Sequence, residues 1–163
     1  MRYRQRKLQR MPERNYSRPG YYFIAIKCGH RDPGFGKIAH GEMILNHYGM
    51  IAGRCWRNIP GHFPDCAIDE FVVMPDHFHG IIELKKTARV GNRHACSLHS
   101  CRPYQRIPVI IGAFKSASAR LIHQSGYPEF KWQKSYYDRI LRFKELSCIR
   151  NYIRNNPSVY LNE

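Results

Sequence analysis

Two apolar runs separated by a two-residue turn signal constrain the fold of this chain more than any other feature. The runs span residues 67–74 and 77–84, with Pro75 and Asp76 between them. Because Pro and Asp favour turns and the runs are rich in apolar, strand-favouring residues, we predict an antiparallel β-hairpin. Its second strand opens with His77 and His79, whose side chains point to the same face because they lie two residues apart.

The rest of the chain adds strands and helices in alternating order. Apolar periodicity and turn residues predict main strands at residues 21–28 and 136–141, a short accessory strand at 42–47, a loop at 85–106, and helices at 49–58, 107–124 and 144–156, the last broken by Pro157. The main elements follow the ferredoxin-like βαββαβ pattern of an α+β fold. We therefore expect an antiparallel sheet with helices on one face, central first and third main strands, and an additional C-terminal helix.

The N-terminal segment differs in composition from the rest of the chain. Residues 1–20 carry seven basic side chains against the single Glu13 and show no apolar periodicity. This pattern predicts a flexible basic arm, for which a merely solvated tail is the alternative. A length of 163 residues suits one domain, so residues 21–163 are predicted to form it.

The charge of the chain points to a polyanionic partner. Its 27 Lys and Arg against 12 Asp and Glu give a net charge of +15, and 11 Tyr, 8 Phe and 2 Trp could stack on bases. Nucleic acid is the leading partner, and a merely basic protein is the alternative.

No apolar stretch approaches the length of about 18–20 residues that crosses a bilayer, and the N-terminus lacks the apolar core of a signal peptide. We expect a cytoplasmic, nucleoid-associated protein with no membrane partner.

The cysteines predict reduced thiols rather than a disulfide framework. Six are scattered through a chain large enough to fold without cross-links. Residues 94–101 place two Cys and two His in one short stretch, yet closing four ligands from eight residues around tetrahedral zinc strains the backbone. We therefore favour a loop there over a zinc site.

The His pair and the final helix together suggest a catalytic metal site. Two imidazoles leave a divalent cation open to substrate, although ordinary strand histidines are the alternative. On the predicted final helix, Tyr152 and Asn156 lie one turn apart beside an apolar stripe of Leu146, Ile149 and Ile153. Tyr152 could instead be a packing residue, and Asn156 could be a helix C-terminal residue.

Several linked motifs resemble the REP-associated tyrosine transposases, within the single-tyrosine transposases of the HUH superfamily. The resemblance covers about residues 21–161 and includes Phe35-Gly36-Lys37-Ile38, Leu45-Asn46, Met74-Pro75-Asp76-His77-Phe78-His79-Gly80, Ala113-Phe114-Lys115-Ser116, Trp132-Gln133-Lys134-Ser135-Tyr136-Tyr137-Asp138 and Tyr152-Ile153-Arg154-Asn155-Asn156-Pro157.

The resemblance implies a function and a set of site residues. His77 and His79 would be ligands of Mg²⁺ or Mn²⁺, and Tyr152 would be the nucleophile that cleaves single-stranded or hairpin DNA through a 5′-phosphotyrosine. Insertion-sequence relatives carry a Gln ligand four residues after the Tyr, where this chain has Asn156. A catalytically inert DNA- or RNA-binding module on the same fold is the alternative function. The final helix could complete its own active site or that of a partner, so a homodimer is left open.

Further residues are candidates for contacts with DNA. Lys115 and Arg154 could bind phosphate, and Trp132 could stack on an unpaired base. In the basic arm, Arg2, Arg4 and Arg6 are candidate phosphate ligands. The Tyr136-Tyr137 pair could hold a rival nucleophile, although packing or base stacking is more usual at alternating strand positions.

Overall fold

A computed structural model of the chain describes residues 18–29, 34–86 and 106–160. Most of the predicted basic arm, including Arg2, Arg4 and Arg6, lies outside these residues, and so does the Cys and His cluster at 94–101. The predictions for these two segments therefore stay predictions.

Ten elements of regular structure follow one another in the described residues. They are β1 Gly20–Lys27, β2 Gly36–Ala39, β3 Glu42–Leu45, α1 His47–Arg57, α2 Ile59–His62, β4 Cys66–Val73, β5 His77–Leu84, α3 Arg106–Gln124, β6 Tyr137–Leu141 and α4 Leu146–Val159, with a turn of 3₁₀ helix at Phe143–Glu145 before α4.

One antiparallel sheet of four strands organises the fold. Its order is β4-β5-β1-β6, so the first and third main strands are central, and β2 and β3 form a separate two-stranded ribbon. The amide of Met74 donates to the carbonyl of His77 across the tight turn that joins β4 to β5. The α+β class, the strand order and the hairpin were all predicted correctly.

Alternate side chains of the central strands divide between two faces. Tyr22, Ile24 and Ile26 of β1 and Phe78 of β5 are buried on the face covered by α1 and α3. The other face buries Ile81 of β5, and α4 covers it with Leu146 and Ile153. The predicted apolar stripe is therefore the surface that docks α4, and it places this helix on the same face as His77 and His79.

The structure corrects the predicted end of one helix and adds two short elements. Helix α4 does not break at Pro157, because it continues to Val159 with this proline buried inside it. A proline so close to the C-terminal end removes only one of the helix's backbone hydrogen bonds, and burial of its ring offsets part of that loss. Strand β2 and the short helix α2 were not predicted. Pro60 lies at the start of α2, where a missing N–H costs nothing.

Candidate active site

The His pair lies at the start of the central strand β5. The ring centroids of His77 and His79 are 4.6 Å apart on the sheet face that α4 covers. Burial, together with the charges of His77 and Lys27, lowers the pKa of His79 to about 4. Near neutral pH the His79 imidazole is therefore uncharged, which is the form that coordinates a metal.

The preceding turn residue orients His77. Oδ1 of Asp76 lies 2.7 Å from Nδ1 of His77, and the hydroxyl of Tyr160 donates to the same Oδ1 over 3.3 Å. The ring of Tyr160 is 6.0 Å from that of His77. When neutral His77 donates its Nδ1–H to this carboxylate, the lone pair is on Nε2, where it is available to a ligand.

Tyr152 lies against the other histidine. Its ring stacks on that of His79, with centroids 5.6 Å apart and planes 27° apart, and its side chain is 49% exposed. Phe23 of β1 contacts both rings, at centroid distances of 6.3 Å to Tyr152 and 5.4 Å to His79. The structure thus brings together the histidine and the tyrosine that the sequence singled out.

Asn156 belongs to the same helical flank. It lies four residues after Tyr152 and four before Tyr160, and these two rings lie against His79 and His77 respectively. Residues four apart share a helix face, so Asn156 faces the His pair as well. Its side chain is 8% exposed, which fits a position between the helix and the sheet.

Two ion pairs fasten α4 to the edge strand β4. The guanidinium of Arg150 spans both carboxylate oxygens of Asp69, with Nη2 2.7 Å from Oδ2. One turn later, Nε of Arg154 is 3.0 Å from Oε1 of Glu70. The guanidinium of Arg154, predicted to bind phosphate, is therefore paired with a carboxylate in this structure, and it contributes to the position of the Tyr152 helix.

The other predicted DNA contacts lie apart from the His pair. Trp132 is 9% exposed, packs against Phe35, Phe114 and Phe130, and donates from Nε1 to the hydroxyl of Ser118. A ring packed in this way serves the core, which corrects the prediction that it stacks on a base.

Lys115 belongs to α3, on the opposite side of the sheet from α4. Its ammonium donates to the backbone carbonyls of Gln133 and Lys134. Desolvation by burial lowers the pKa of Lys115. These contacts give Lys115 a role in holding the segment before β6, and its predicted contact with phosphate stays a prediction.

The structure adds Lys27, which sequence reasoning did not assign, and places Tyr136 and Tyr137 on opposite faces of the sheet. Lys27 lies opposite His77 in the β1–β5 register and is exposed, and among the described residues no carboxylate pairs with it. Tyr137 is exposed on the site face and contacts Phe23, whereas its neighbour Tyr136 packs against the opposite core. Both positions follow from strand register, which hydrophobic periodicity alone does not specify.

The donor set fits a divalent cation. Nδ1 of His79 is buried and has no hydrogen-bond partner among the described residues, and a metal bound at this nitrogen would offset part of that cost. Within the described part of the chain, no three His, Cys, Asp or Glu side chains come together as a metal site. A third protein ligand would then be an amide such as that of Asn156, with water completing the coordination.

No helix within residues 18–29, 34–86 and 106–160 is long and apolar enough to span a bilayer.

Comparison with known proteins supplies a sequence relative and two structural neighbours. An uncharacterized protein of Haemophilus influenzae is 36% identical over 157 residues, which cover 93% of this chain and 87% of that protein. No protein-family model matches the chain.

The structural neighbours are both described in terms of transposition. A REP-associated tyrosine transposase bound to a REP hairpin superposes with a TM-score of 0.63 at 17% identity, over 93% of this chain and 74% of that one. A candidate transposase of Deinococcus radiodurans superposes with a TM-score of 0.50 at 19% identity, over 90% of this chain and 97% of that one. The chain therefore belongs to the same protein family as the Haemophilus influenzae protein, and its fold is that of a REP-associated tyrosine transposase.

Proposed function

We propose that this protein is a metal-dependent single-strand DNA endonuclease and strand transferase of the HUH single-tyrosine type, with Tyr152 as its nucleophile. The stacking of Tyr152 on His79 at 5.6 Å is the observation that carries the proposal. A half-exposed tyrosine beside a neutral, half-buried imidazole is open to substrate and adjacent to candidate metal ligands.

His77, His79 and Asn156 would hold Mg²⁺ or Mn²⁺. When bound, such a cation polarises the scissile phosphate and stabilises the charge that develops on it. Asp76 holds His77 in the orientation that a ligand needs. The ion pairs of Arg150 and Arg154 with strand β4 keep Tyr152 over the site.

The reaction exchanges one phosphodiester for another. The phenolic oxygen of Tyr152 attacks the scissile phosphorus, and the bond from phosphorus to the 3′ oxygen of the upstream nucleotide breaks. The upstream strand leaves with a 3′-OH that takes up a proton, and the phenol gives up its own. The downstream strand stays attached as a 5′-phosphotyrosine. Because no water enters, a 3′-OH can reverse the step and rejoin strands.

Hairpin-forming repeat DNA is the substrate that we propose. The structural neighbour with a TM-score of 0.63 is bound to a REP hairpin. This chain has a net charge of +15, and Lys27 lies exposed beside His77. Positive charge attracts the phosphate backbone of any nucleic acid, so the preference for unpaired DNA must come from the site itself.

Covalent capture of labelled DNA tests the proposal. A hairpin with single-stranded extensions and a 3′ label, which stays on the strand joined to Tyr152, is incubated with the protein and Mg²⁺ or Mn²⁺, and a denaturing gel separates covalent adducts. We expect an adduct with the wild-type chain that EDTA abolishes. Tyr152→Phe should remove the adduct and leave hairpin binding nearly intact, because only the nucleophilic oxygen is lost.

Further variants test the role of each candidate site residue. Tyr160→Phe, one residue past the end of α4, should keep the adduct. His77→Ala and His79→Ala should abolish it while weakening DNA binding modestly, and Asn156→Ala should have a milder effect because water can replace an amide ligand. An adduct that survives Tyr152→Phe would contradict the assignment of the nucleophile. Hairpin binding without any adduct would favour an inert nucleic-acid-binding module.

A further inference from the structure

A short segment before β6 extends the sheet past the end of β1. Trp132 forms an isolated antiparallel bridge with Cys28, and both side chains are buried on the core face. The amide of Gln133 donates to the backbone carbonyl of Lys27 over 2.9 Å. Residues 131–133 therefore lie beside the end of β1 as a further piece of strand.

The side chains of this segment alternate between the two faces of the sheet. Because Trp132 points into the core, its neighbours Lys131 and Gln133 point to the site face, where both are exposed. Lys27 is exposed on the same face and lies opposite His77 in the β1–β5 register. Lys27 and Gln133 thus continue outward from His77 in one row, and Lys131 lies at its outer end. We call these three residues the basic row.

An irregular stretch of the sheet anchors the basic row. Between the bridge at Trp132 and the first β6 pair at Tyr137, the chain has two more residues than β1 has opposite them. Extra residues of this kind bend a strand and re-aim its side chains, and they are common next to active sites. The ammonium of Lys115 donates to the backbone carbonyls of Gln133 and Lys134. The backbone of the outer part of the row is therefore held in place from α3.

Helix α4 leaves the basic row uncovered. Arg150 and Arg154 fasten this helix to β4, which is the edge strand farthest from residues 131–133. All three side chains of the basic row are exposed, and no carboxylate of the described residues forms an ion pair with either of its lysines. The row therefore presents two ammonium groups and one amide to solvent beside the candidate metal ligands.

These features match the backbone of a DNA strand. Exposed lysines and amides contact phosphates without reading bases, so the surface needs no pocket. From His77 to Gln133 the row crosses two intervals between strands, each about 4.8 Å, which gives about 10 Å. A DNA strand carries one phosphate per about 3.4 Å of helix axis, so a row of this length meets more than one phosphate.

We propose that Lys27, Gln133 and Lys131 bind the sugar–phosphate backbone of the cleaved DNA strand next to the scissile phosphate, and that they lead this strand from the His pair toward the β6 edge of the sheet. The identity of the strand rests on the proposed function, because the row begins at His77. Binding along the row needs no cleavage, so it is measurable in a chain that forms no adduct.

Neutral phosphates test the row in a non-cleaving protein. In a Tyr152→Phe background, a hairpin with single-stranded extensions on both sides carries a methylphosphonate, which removes the charge of one phosphate, at one position at a time. We expect two nearby positions at which this change weakens binding by about two- to fivefold, the range of one exposed ion pair. Lys131→Ala should cancel the penalty at one of them. Lys27→Ala should cancel it at the other, which lies nearer to the cleavage site.

Variants with equal changes of charge show whether the contact is local. Lys131→Ala, Gln133→Glu and Lys144→Ala each lower the net charge by one. The first two should weaken hairpin binding. Lys144→Ala, in the exposed turn before α4 at the opposite end of the sheet, should keep every methylphosphonate penalty. Gln133→Leu, which loses the amide without adding a charge, should weaken binding less than Gln133→Glu.

The outcomes separate this inference from the proposed function. Equal methylphosphonate penalties at every position in Lys131→Ala and in the parent chain would overturn the row, even if the wild-type chain forms a covalent adduct. Loss of one penalty in Lys131→Ala alone would support it, even if no adduct forms. A Lys144→Ala chain that loses the same penalty, or an absence of any sensitive position, would also overturn the row, because net charge alone would then account for the binding.

Discussion

The side chain of Asp76 accepts a hydrogen bond from His77, with Oδ1 and Nδ1 2.7 Å apart, and both residues belong to the turn that opens β5. The hydroxyl of Tyr160 donates to the same oxygen from the end of α4. One carboxylate thus links a candidate metal ligand to the helix that carries the candidate nucleophile. Such a partner fixes the tautomer of a ligating histidine and raises its basicity.

We predict that Asp76→Ala weakens the affinity for Mn²⁺ by about 10- to 100-fold. The backbone carbonyl of Asp76, which accepts from the amide of Cys28, is unaffected by this change, so the fold should persist. Free Mn²⁺ measured by electron paramagnetic resonance gives the affinity. Asp76→Asn keeps an acceptor oxygen and should weaken the affinity for Mn²⁺ less than Asp76→Ala does. Equal affinity in Asp76→Ala and the wild-type chain would show that His77 needs no partner.

The sequence determined the architecture because each main element carries its own signal. The two runs that flank Pro75 and Asp76 became an antiparallel pair, and the stripe of Leu146, Ile149 and Ile153 docks α4 on the sheet. These patterns arise from burial on one face, which acts on every second residue of a strand and on every third or fourth residue of a helix. The type and order of the main elements were accordingly predictable.

The site was only partly predictable, because much of it depends on strand register. His77, His79, Tyr152 and Asn156 were singled out from motifs, and the structure places them on one face. The positions of Lys27 opposite His77 and of Tyr137 beside Ala25 require the pairing of β1 with both of its neighbours. The burial of Trp132 was missed for a related reason, since its surroundings come from distant segments of the chain.

We predict that Lys27→Ala lowers the slope of the logarithm of DNA affinity against the logarithm of salt concentration by about 0.7–0.9, the change expected for one lost phosphate contact. Lys27 lies beside His77 at the end of the sheet where the scissile strand would bind. Lys86→Ala removes the same charge just past the far end of β5 and serves as control. Equal slopes for the two variants would indicate attraction by net charge rather than a contact at the site.

A second prediction about charge concerns the pH dependence of stability. Cys66, the first residue of β4, is 2% exposed, and burial raises its pKa from 9.0 to about 11. Above about pH 9 the unfolded thiol loses its proton while the folded thiol keeps it, so the unfolded state binds fewer protons. The contribution of the Cys66 thiol to the free energy of unfolding is therefore fully present below about pH 9, and it is lost as the pH rises toward about 11.

The expected loss in the free energy of unfolding is about 1–3 kcal/mol between about pH 8 and about pH 11. Urea unfolding of the wild-type chain and of Cys66→Ala at both pH values measures this loss. The difference between the two chains isolates the thiol, because other groups also titrate in this pH range. Cys148→Ala, which removes an exposed thiol, is the matched control for the loss of a cysteine. A Cys66→Ala chain that loses as much stability as the wild type would show that this thiol does not contribute.

Gly80 couples the core to the candidate metal site, because it follows His79 on β5 and faces the opposite side of the sheet. A Cβ added at Gly80 would lie 2.6 Å from Cζ2 of Trp56 and 2.9 Å from Cε1 of Phe78, closer than such atoms can pack. We predict that Gly80→Ala lowers the free energy of unfolding by about 1–3 kcal/mol through overpacking. Tryptophan fluorescence in a urea titration measures this loss.

The matched control is Gly112→Ala on the exposed side of α3, where an added Cβ meets no atom within 4 Å. It should raise stability by about 0.5–1 kcal/mol, because Ala is the better helix former. Trp56 is fully buried and in ring contact with Phe78 and Phe114. We therefore expect β5 to shift, so that Gly80→Ala also weakens Mn²⁺ binding at His79, whereas Gly112→Ala should not. Unchanged Mn²⁺ affinity in a destabilised Gly80→Ala chain would show that the core absorbs the added methyl group without moving the strand that carries the His pair.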